Sequence, residues 1–446
     1  LMLSFGDDRM ANGFVLERYT EGLVFENDRK FEVANKQIVL KVFMADSMLY
    51  WICATKIKRS AIKVIVHSVS ASLIGDISVT EIGTYNTGDI DIDQFEVASS
   101  PDKRRWVILG FGTAGQRTRE ALGTEVWMLR ADVDGGEARS SFILTSERWS
   151  PADLTWKSVV LDDSGKVFAI YEDKDYGGTG LLGGHKQLNH FHWVKSGGDS
   201  LMRGDLVVEG DVLDAVAVLH TKTQALQVFG YYNAGKGVGM DGYFIGEFGD
   251  DGQIATSNHP FTESAAKQFM GLGSLKRNER PDNYYIRNVV ALSNGGWLML
   301  SEQFYESRQM ETYYVNGVPQ TSSKLFYHYG DIAMQYLQKD GTLDSLIMVR
   351  KTQVGAVNVA HLFGFGMYVC GSSINLLYND DEGEINRIMH VKIDKSFKVE
   401  RDWLFRNENT PGTIVPYEGK QTDYGLITLP IYRDKQWFWL QVFSND

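Results

Sequence analysis

Val289-Val290-Ala291-Leu292-Ser293-Asn294-Gly295-Gly296-Trp297-Leu298-Met299-Leu300-Ser301-Glu302 reads as an apolar run, a turn and a second apolar run. Asn-Gly and Gly-Gly tolerate the positive φ of a tight hairpin, so the two runs fold back on each other as antiparallel strands. The chain then crosses a long polar and aromatic excursion and returns as Asp331-Ile332-Ala333-Met334-Gln335-Tyr336-Leu337. A further turn at Lys339-Asp340-Gly341 leads into Leu343 to Val349. Four β-type runs with turn residues between them make one antiparallel meander, from Arg287 to Lys351.

The same plan recurs along the chain. Aligned on the second strand of each unit, the matching runs are Leu49 to Lys56, Arg105 to Gly112, Lys166 to Asp173, Ala225 to Asn233, Gly296 to Phe304, Gly366 to Ser373 and Tyr424 to Tyr432. Their spacing of about 55 to 71 residues falls in the range of four-stranded propeller blades with long loops. Third strands follow, among them Asp331 to Leu337, Arg387 to Ile393 and Gln436 to Phe443, and most run into a turn such as Asp134-Gly135-Gly136 or Asp250-Asp251-Gly252. First strands, including Ile38 to Phe43, Asn288 to Leu292 and Val357 to Leu362, are short and nearly all apolar, as strands buried on both faces are.

The fold class expected is therefore all-β: one seven-bladed β-propeller of four-stranded antiparallel blades over residues 1–446. Its blades lie at about 37–83, 95–145, 158–208, 214–257, 287–350, 356–405 and 413–446. The seventh unit stops after three strands. Because a bare sheet edge is a liability, a strand from residues 1–36, either Gly13 to Leu16 or Gly22 to Phe25, is expected to pair with Gln436 to Phe443 and close the ring. One short helix is expected from Thr262 to Met270, with Thr262 as cap and Gly271 as stop, as a surface ornament.

Bulk composition narrows the function classes. The 446 residues hold 12% aromatics, 45 glycines and 8 prolines, the mixture of a strand-rich globular protein. A net charge of -12 argues against nucleic acid as a partner, with Lys56 to Lys63 the only short basic stretch. No apolar run approaches the roughly 18 to 20 residues of a membrane span. The chain begins at Leu1, so either a signal segment has been removed or the numbering starts inside a longer product. Cys53 and Cys370 sit inside apolar strand runs and read as buried free thiols.

In such a meander, the connections joining strands two to three and four to one share a face, and nearly all long segments of this chain lie there. Binding residues concentrate on loops of that kind. The richest is Tyr305 to Gly330, with Tyr305, Tyr313, Tyr314, Phe326, Tyr327, His328 and Tyr329. Such a density of aromatics suits a partner-binding patch or a stacking platform for sugars; the alternative is a protruding hairpin with Val315-Asn316-Gly317-Val318 at its tip. Glu172 with Asp173, and Glu302, stand at the exits of second strands. If they share a face they offer an acid/base pair for glycoside or lyase chemistry; otherwise they end strands in solvated hairpins.

Other constellations carry less. His190 and His192 share one side of a strand near His185, but no third metal ligand is identifiable. Asp89, Asp91 and Asp93 lack the Gly and Glu of a calcium loop and read as an acidic solvated edge. Gly177-Gly178-Thr179-Gly180 has no Gly-Lys-Ser/Thr after it, and Gly-x-Ser-x-Gly is absent. No metal or cofactor is called for.

Ser293-Asn294-Gly295-Gly296-Trp297 through Ser301-Glu302-Gln303, with Tyr329-Gly330-Asp331-Ile332 and Arg350-Lys351-Thr352-Gln353, resembles uncharacterised propeller proteins of the Bacteroidota cell envelope. The resemblance covers the fifth unit and implies an exported location, periplasmic or at the cell surface, with a lipid anchor upstream of Leu1 as one form of it. The functional expectation is a non-catalytic protein-interaction scaffold, a subunit of an envelope complex, meeting other subunits on the long-loop face. The competing expectation is a glycan-binding or glycan-cleaving propeller that uses Tyr305, Tyr313, Tyr314, Tyr327, His328 and Tyr329 with Glu302, Glu172 and Asp173.

Overall fold

A computed structural model of the chain describes residues 2–5, 14–19, 25–31, 37–58, 61–86, 95–113, 124–132, 137–144, 154–175, 188–197, 200–220, 223, 225–235, 239–248, 253–276, 279–315, 318–382, 385–404, 412–423, 425–433 and 436–443. The chain is all-β, and every strand pairing among these residues is antiparallel between near neighbours in sequence. Its four-stranded sheets fit a β-propeller. Two compact units divide it: Leu1–Lys236 with Met240–Pro260, and Gly237–Gly239 with Phe261–Asp446.

Unit one holds a three-stranded sheet at 2–31 and four-stranded sheets at 37–86, 96–144, 154–205 and 211–260. Successive four-stranded sheets share cores. Ile52, Val64 and Ile82 of one pack with Trp106, Ile108 and Leu129 of the next. Val107 and Leu109 pack in turn with Leu161, Val167 and Ala169, and Ile170 and Trp193 with Ala215, Val228 and Phe244. Unit two holds sheets at 284–356, 366–403 and 413–443, joined in the same way. Leu300, Ile332 and Met334 meet Leu376, Tyr378 and Val391, while Leu377 and Ile388 meet Ile427, Leu429 and Ile431.

The turns have a repeated local cause. Asp162 Oδ1 accepts from the backbone N–H of Ser164 at 2.9 Å and of Lys166 at 2.7 Å. Asp394 Oδ1 accepts from Ser396 and Lys398 at 2.8 and 3.0 Å. Each carboxylate mimics a backbone turn and fixes the hairpin that follows. Gly295 and Gly341 both sit at φ +84, where a Cβ is disfavoured.

Two expectations are corrected, and two pairs of alternatives are narrowed. Phe14–Tyr19 is flanked on both sides, by Met2–Phe5 and Phe25–Phe31, so residues 14–16 have no free edge to lend to Gln436–Phe443. Residues 13 and 22–24 lie outside the described residues, and Phe25 belongs to the edge strand Phe25–Phe31, so only the first of the two closing alternatives is excluded. The sixth sheet is shifted by a strand. Val357–Leu362, expected as the first strand, is a 3-10 helix, and the run expected as the second strand supplies the first, Gly366–Cys370. The second is Ser373–Glu382, most of which falls in the segment 374–386 expected as a connection. At 305–330 the expected alternative, a protruding hairpin, is the one seen: Trp297–Val315 and Val318–Leu337 pair as one long hairpin. Finally, the helix Glu263–Met270 is capped by Thr262 and ended by Gly271 as expected, yet it is no surface ornament: Ala265, Ala266 and Phe269 are buried. Its Phe269 carbonyl accepts from Arg350 at 2.9 Å.

Candidate functional site

The site in unit two grows from a fault in strand pairing. Tyr284–Ala291 pairs with the strand from Trp297, but the register slips between Ile286 and Asn288, leaving Arg287 as the extra residue of a β-bulge. A second slip falls between Glu302 and Phe304 on the other side. Bulges re-aim side chains, and these two bring a cation and a carboxylate together within the sheet. Glu302 has no exposed surface. Its Oε2 lies 3.1 Å from Arg287 Nε and accepts a short hydrogen bond from the Tyr417 hydroxyl. Its Oε1 lies 2.7 Å from Nζ of Lys351, whose side chain is also fully buried.

A relay of amides locks this ion cluster to the neighbouring sheets. Lys351 Nζ also donates to Gln353 Oε1 at 2.8 Å, and Gln353 Nε2 donates to the Asn379 carbonyl at 2.6 Å. Asn379 Nδ2 in turn donates to the carbonyls of Leu362 and Ile414 at 2.6 and 2.7 Å, and Ile414 N–H donates back to Asn379 Oδ1 at 3.0 Å. Buried charge is tolerated only when paired and hydrogen-bonded in this way. Burial pushes the Lys351 ammonium down from its ordinary pKa while Glu302 pulls it back. Burial and then the Glu302 carboxylate push the Tyr417 hydroxyl up.

Two members of the cluster reach the surface. Tyr417 is 42% exposed and the Arg287 side chain 27%. The Arg287 guanidinium lies 5.6, 5.9 and 6.0 Å from the ring centres of Tyr417, Tyr329 and Phe304, within cation–π range. Gly364 sits at φ +85, and a Cβ there would fall 2.2 Å from the Tyr417 ring, so only glycine admits the ring at that place.

Unit one repeats the device. A bulge between Trp156 and Ser158 turns out Lys157, and Glu172 lies as far along the chain from Lys157 as Glu302 does from Arg287. Lys157 Nζ stands 3.6 Å from Glu172 Oε2 and 3.1 Å from Asp214 Oδ1. Glu172, Asp173 and Asp214 are all buried. Beside them, His192 Nδ1 lies 2.8 Å from Asp205 Oδ1 with its ring stacked on Tyr171. His190 is exposed. His185, Asp89, Asp91, Asp93 and the glycines at 177–184 lie outside the described residues.

The expected site residues therefore separate. Glu302 is the centre of the cluster in unit two, while Glu172 belongs to an ion network of unit one and Asp173 is buried next to it in sequence. The reading of all three as solvated strand ends is corrected, since each is buried by the sheet that carries it. Of the tyrosines, Tyr329 lines the Arg287 site. Tyr305, 42% exposed, stacks on His328 with ring centres 4.3 Å apart. Tyr327 packs on Phe304, Tyr314 is exposed, and Tyr313 pairs with Gln320 in the hairpin ladder. Arg287, Lys351, Gln353, Asn379 and Tyr417 were not expected. Lys351 and Gln353 stand directly after an apolar strand, a visible hint of buried polarity, whereas nothing adjacent to Tyr417 marks it.

No protein-family model matches the chain, and no curated protein is similar to it. Among solved structures it is similar to a Dyadobacter fermentans protein of unknown function, at 10% identity and TM-score 0.33, over 90% of this chain and 95% of that one. It is similar to a Synechocystis apocarotenoid oxygenase at 7% identity and TM-score 0.34, over 78% and 71%. A Trypanosoma rangeli sialidase in complex with 2,3-difluorosialic acid matches at 9% identity and TM-score 0.29, over 98% and 88%. The expectation of a non-catalytic scaffold is corrected in favour of its stated alternative, because the chain carries a tyrosine hydroxyl that donates to a fully buried carboxylate between two cations.

Proposed function

We propose that the chain is a seven-bladed β-propeller that binds and cleaves glycans, its blades being the sheets at 37–86, 96–144, 154–205, 211–260, 284–356, 366–403 and 413–443. One observation carries the reading. Tyr417 is partly exposed, and its hydroxyl directs its proton at buried Glu302 beside a guanidinium framed by aromatic rings. Ring faces of this kind suit the apolar face of a pyranose, and Arg287 offers a fork of donors to sugar oxygens.

In the reaction the Tyr417 oxygen bonds to the anomeric carbon as the glycosidic bond breaks. The phenolic proton passes to Glu302, and the leaving oxygen takes a proton from water. A second water then bonds to the anomeric carbon as its bond to the Tyr417 oxygen breaks. Glu302 returns the proton to Tyr417, and the proton lost by the attacking water neutralises the hydroxide left by the first step. The raised pKa keeps Tyr417 protonated at rest, so proton transfer and bond formation proceed together. Lys351 contacts no substrate, because it is fully buried, and orients the carboxylate. An exported location belongs to the same proposal.

Reducing-end release from a panel of oligosaccharides tests it, alongside binding by calorimetry. Tyr417→Phe and Glu302→Gln should each lower turnover by about 10²-fold or more while the sugar still binds, and Arg287→Lys should weaken binding. A folded wild-type chain that neither binds nor cleaves any member, or a Tyr417→Phe variant as active as the wild type, overturns the reading.

A further inference from the structure

The long hairpin of unit two has one satisfied face and one unsatisfied face. From Phe304↔Tyr329 to Val315↔Val318 the two strands pair without interruption, so alternate residues share a side. On one side Tyr305 stacks on His328, Ser307 Oγ lies 2.7 Å from His328 Nε2, and Lys324 pairs with Glu311 at 2.6 Å. On the other side stand Glu306, Arg308, Met310 and Tyr314, with Tyr327 and Leu325 across the ladder. Met310 is 68% and Tyr314 73% exposed. Glu306 and Arg308 are exposed and have no ion-pair partner among the described residues.

Support from neighbouring strands ends at the base. The first strand of the sheet pairs no further than Gln303. Gln353–Ala356 covers only Phe326 to Tyr329, and no third strand reaches the outer pairs among the described residues. A two-stranded ribbon alone is marginal in water. An arm of this length with an apolar, charge-bearing face is stabilised by being covered.

We infer that this face pairs with the same face of a second copy of the chain across a two-fold axis, so that Glu306 of each copy lies against Arg308 of the other. The charge pattern selects this occupant. One acid and one base two residues apart on the same side form a self-complementary pair under an antiparallel two-fold, as isologous contacts require. They do not match a polyanionic or polycationic partner.

Sedimentation equilibrium of the full chain, with melting temperature as the folding control, tests the inference. The wild type should be a dimer that dissociates with added salt. Glu306→Arg and Arg308→Glu should each raise the dissociation constant at least about tenfold, by setting like charges together. The double variant Glu306→Arg/Arg308→Glu should recover most of the loss, because the swapped pair is again complementary. Met310→Lys should dissociate the dimer and leave a folded monomer that still melts cooperatively, at a somewhat lower temperature. A wild type that stays monomeric at every concentration, single variants that dimerise like the wild type, or a double variant no better than the singles overturns it. So does a monomeric wild type whose glycan binding is lost in Tyr314→Ala, which would assign the face to sugar.

Discussion

Glu302 and Lys351 lie where neither touches water, so each depends on the other for its charge. Removing one partner leaves the other's buried charge only partly compensated, Glu302 by Arg287 on a single oxygen, the more damaging way to break such a pair. Lys351→Met should therefore lower stability by about 3–5 kcal/mol in a urea titration. Glu302→Gln/Lys351→Met should recover part of that loss, since an uncharged pair has no such desolvation cost. An equal loss in single and double variants would show that packing, not charge, is at stake. Cys53 shows the same burial without a partner. Its thiol is pushed up to about 12 by desolvation, leaving almost no thiolate near neutrality. In a Cys370→Ser background, Cys53 should resist a thiol-specific disulfide reagent at pH 8 in the native protein and react at the rate of unfolding.

At the scale of elements, the bulge and the tight turn decide what the sheets present. Gly364→Ala forces a Cβ into the Tyr417 ring at a φ that disfavours any side chain. It should cost about 1–3 kcal/mol by thermal melting and displace the Tyr417 hydroxyl from Glu302. A variant with full stability and full turnover would remove Tyr417 from the site. Thr262→Ala should cost about 1 kcal/mol, because the Thr262 hydroxyl accepts from Ala265 N–H at 3.1 Å. The strands and their turns were legible in the amino-acid sequence because alternation, Asn-Gly and Asp-Gly are local signals. The sixth sheet was misplaced for the same reason. Val357 to Leu362 is as apolar as a strand but forms a 3-10 turn, and Ser373–Glu382 is polar enough to pass for a loop. Glu302 was legible as a carboxylate at a strand exit, but its burial was not. That depends on bulges at Arg287 and Gln303 and on Tyr417, which stands on the 3-10 turn Pro416–Glu418, 115 residues away.

At the scale of the whole molecule, the tyrosines govern the response to alkali. Tyr171, Tyr284, Tyr329 and Tyr417 are all pushed above their ordinary value of 10.0, and Tyr336 and Tyr378 are pushed up to about 12, burial being the first cause in every case. A group whose folded pKa is raised contributes stability that is complete below the unfolded value. The contribution is lost as pH climbs through the folded value, because the unfolded chain releases its proton first. Lys351 acts in the opposite sense. Its pKa is lowered, so below 10.5 the unfolded chain holds the extra proton and stability gains slightly with pH. Tyr232 is pushed up as well, again by burial first, so one lysine is outweighed by seven tyrosines, five of them in unit two. Stability should therefore hold to about pH 10 and fall steeply between about pH 10 and 12, with unit two losing structure before unit one. Phenolate absorbance followed with near-ultraviolet circular dichroism checks this. The exposed tyrosines should titrate first without unfolding, and the remainder should ionise together with the loss of tertiary signal. A single smooth titration of all 21 tyrosines near their ordinary value, with the fold intact, would mean that these rings are open to solvent.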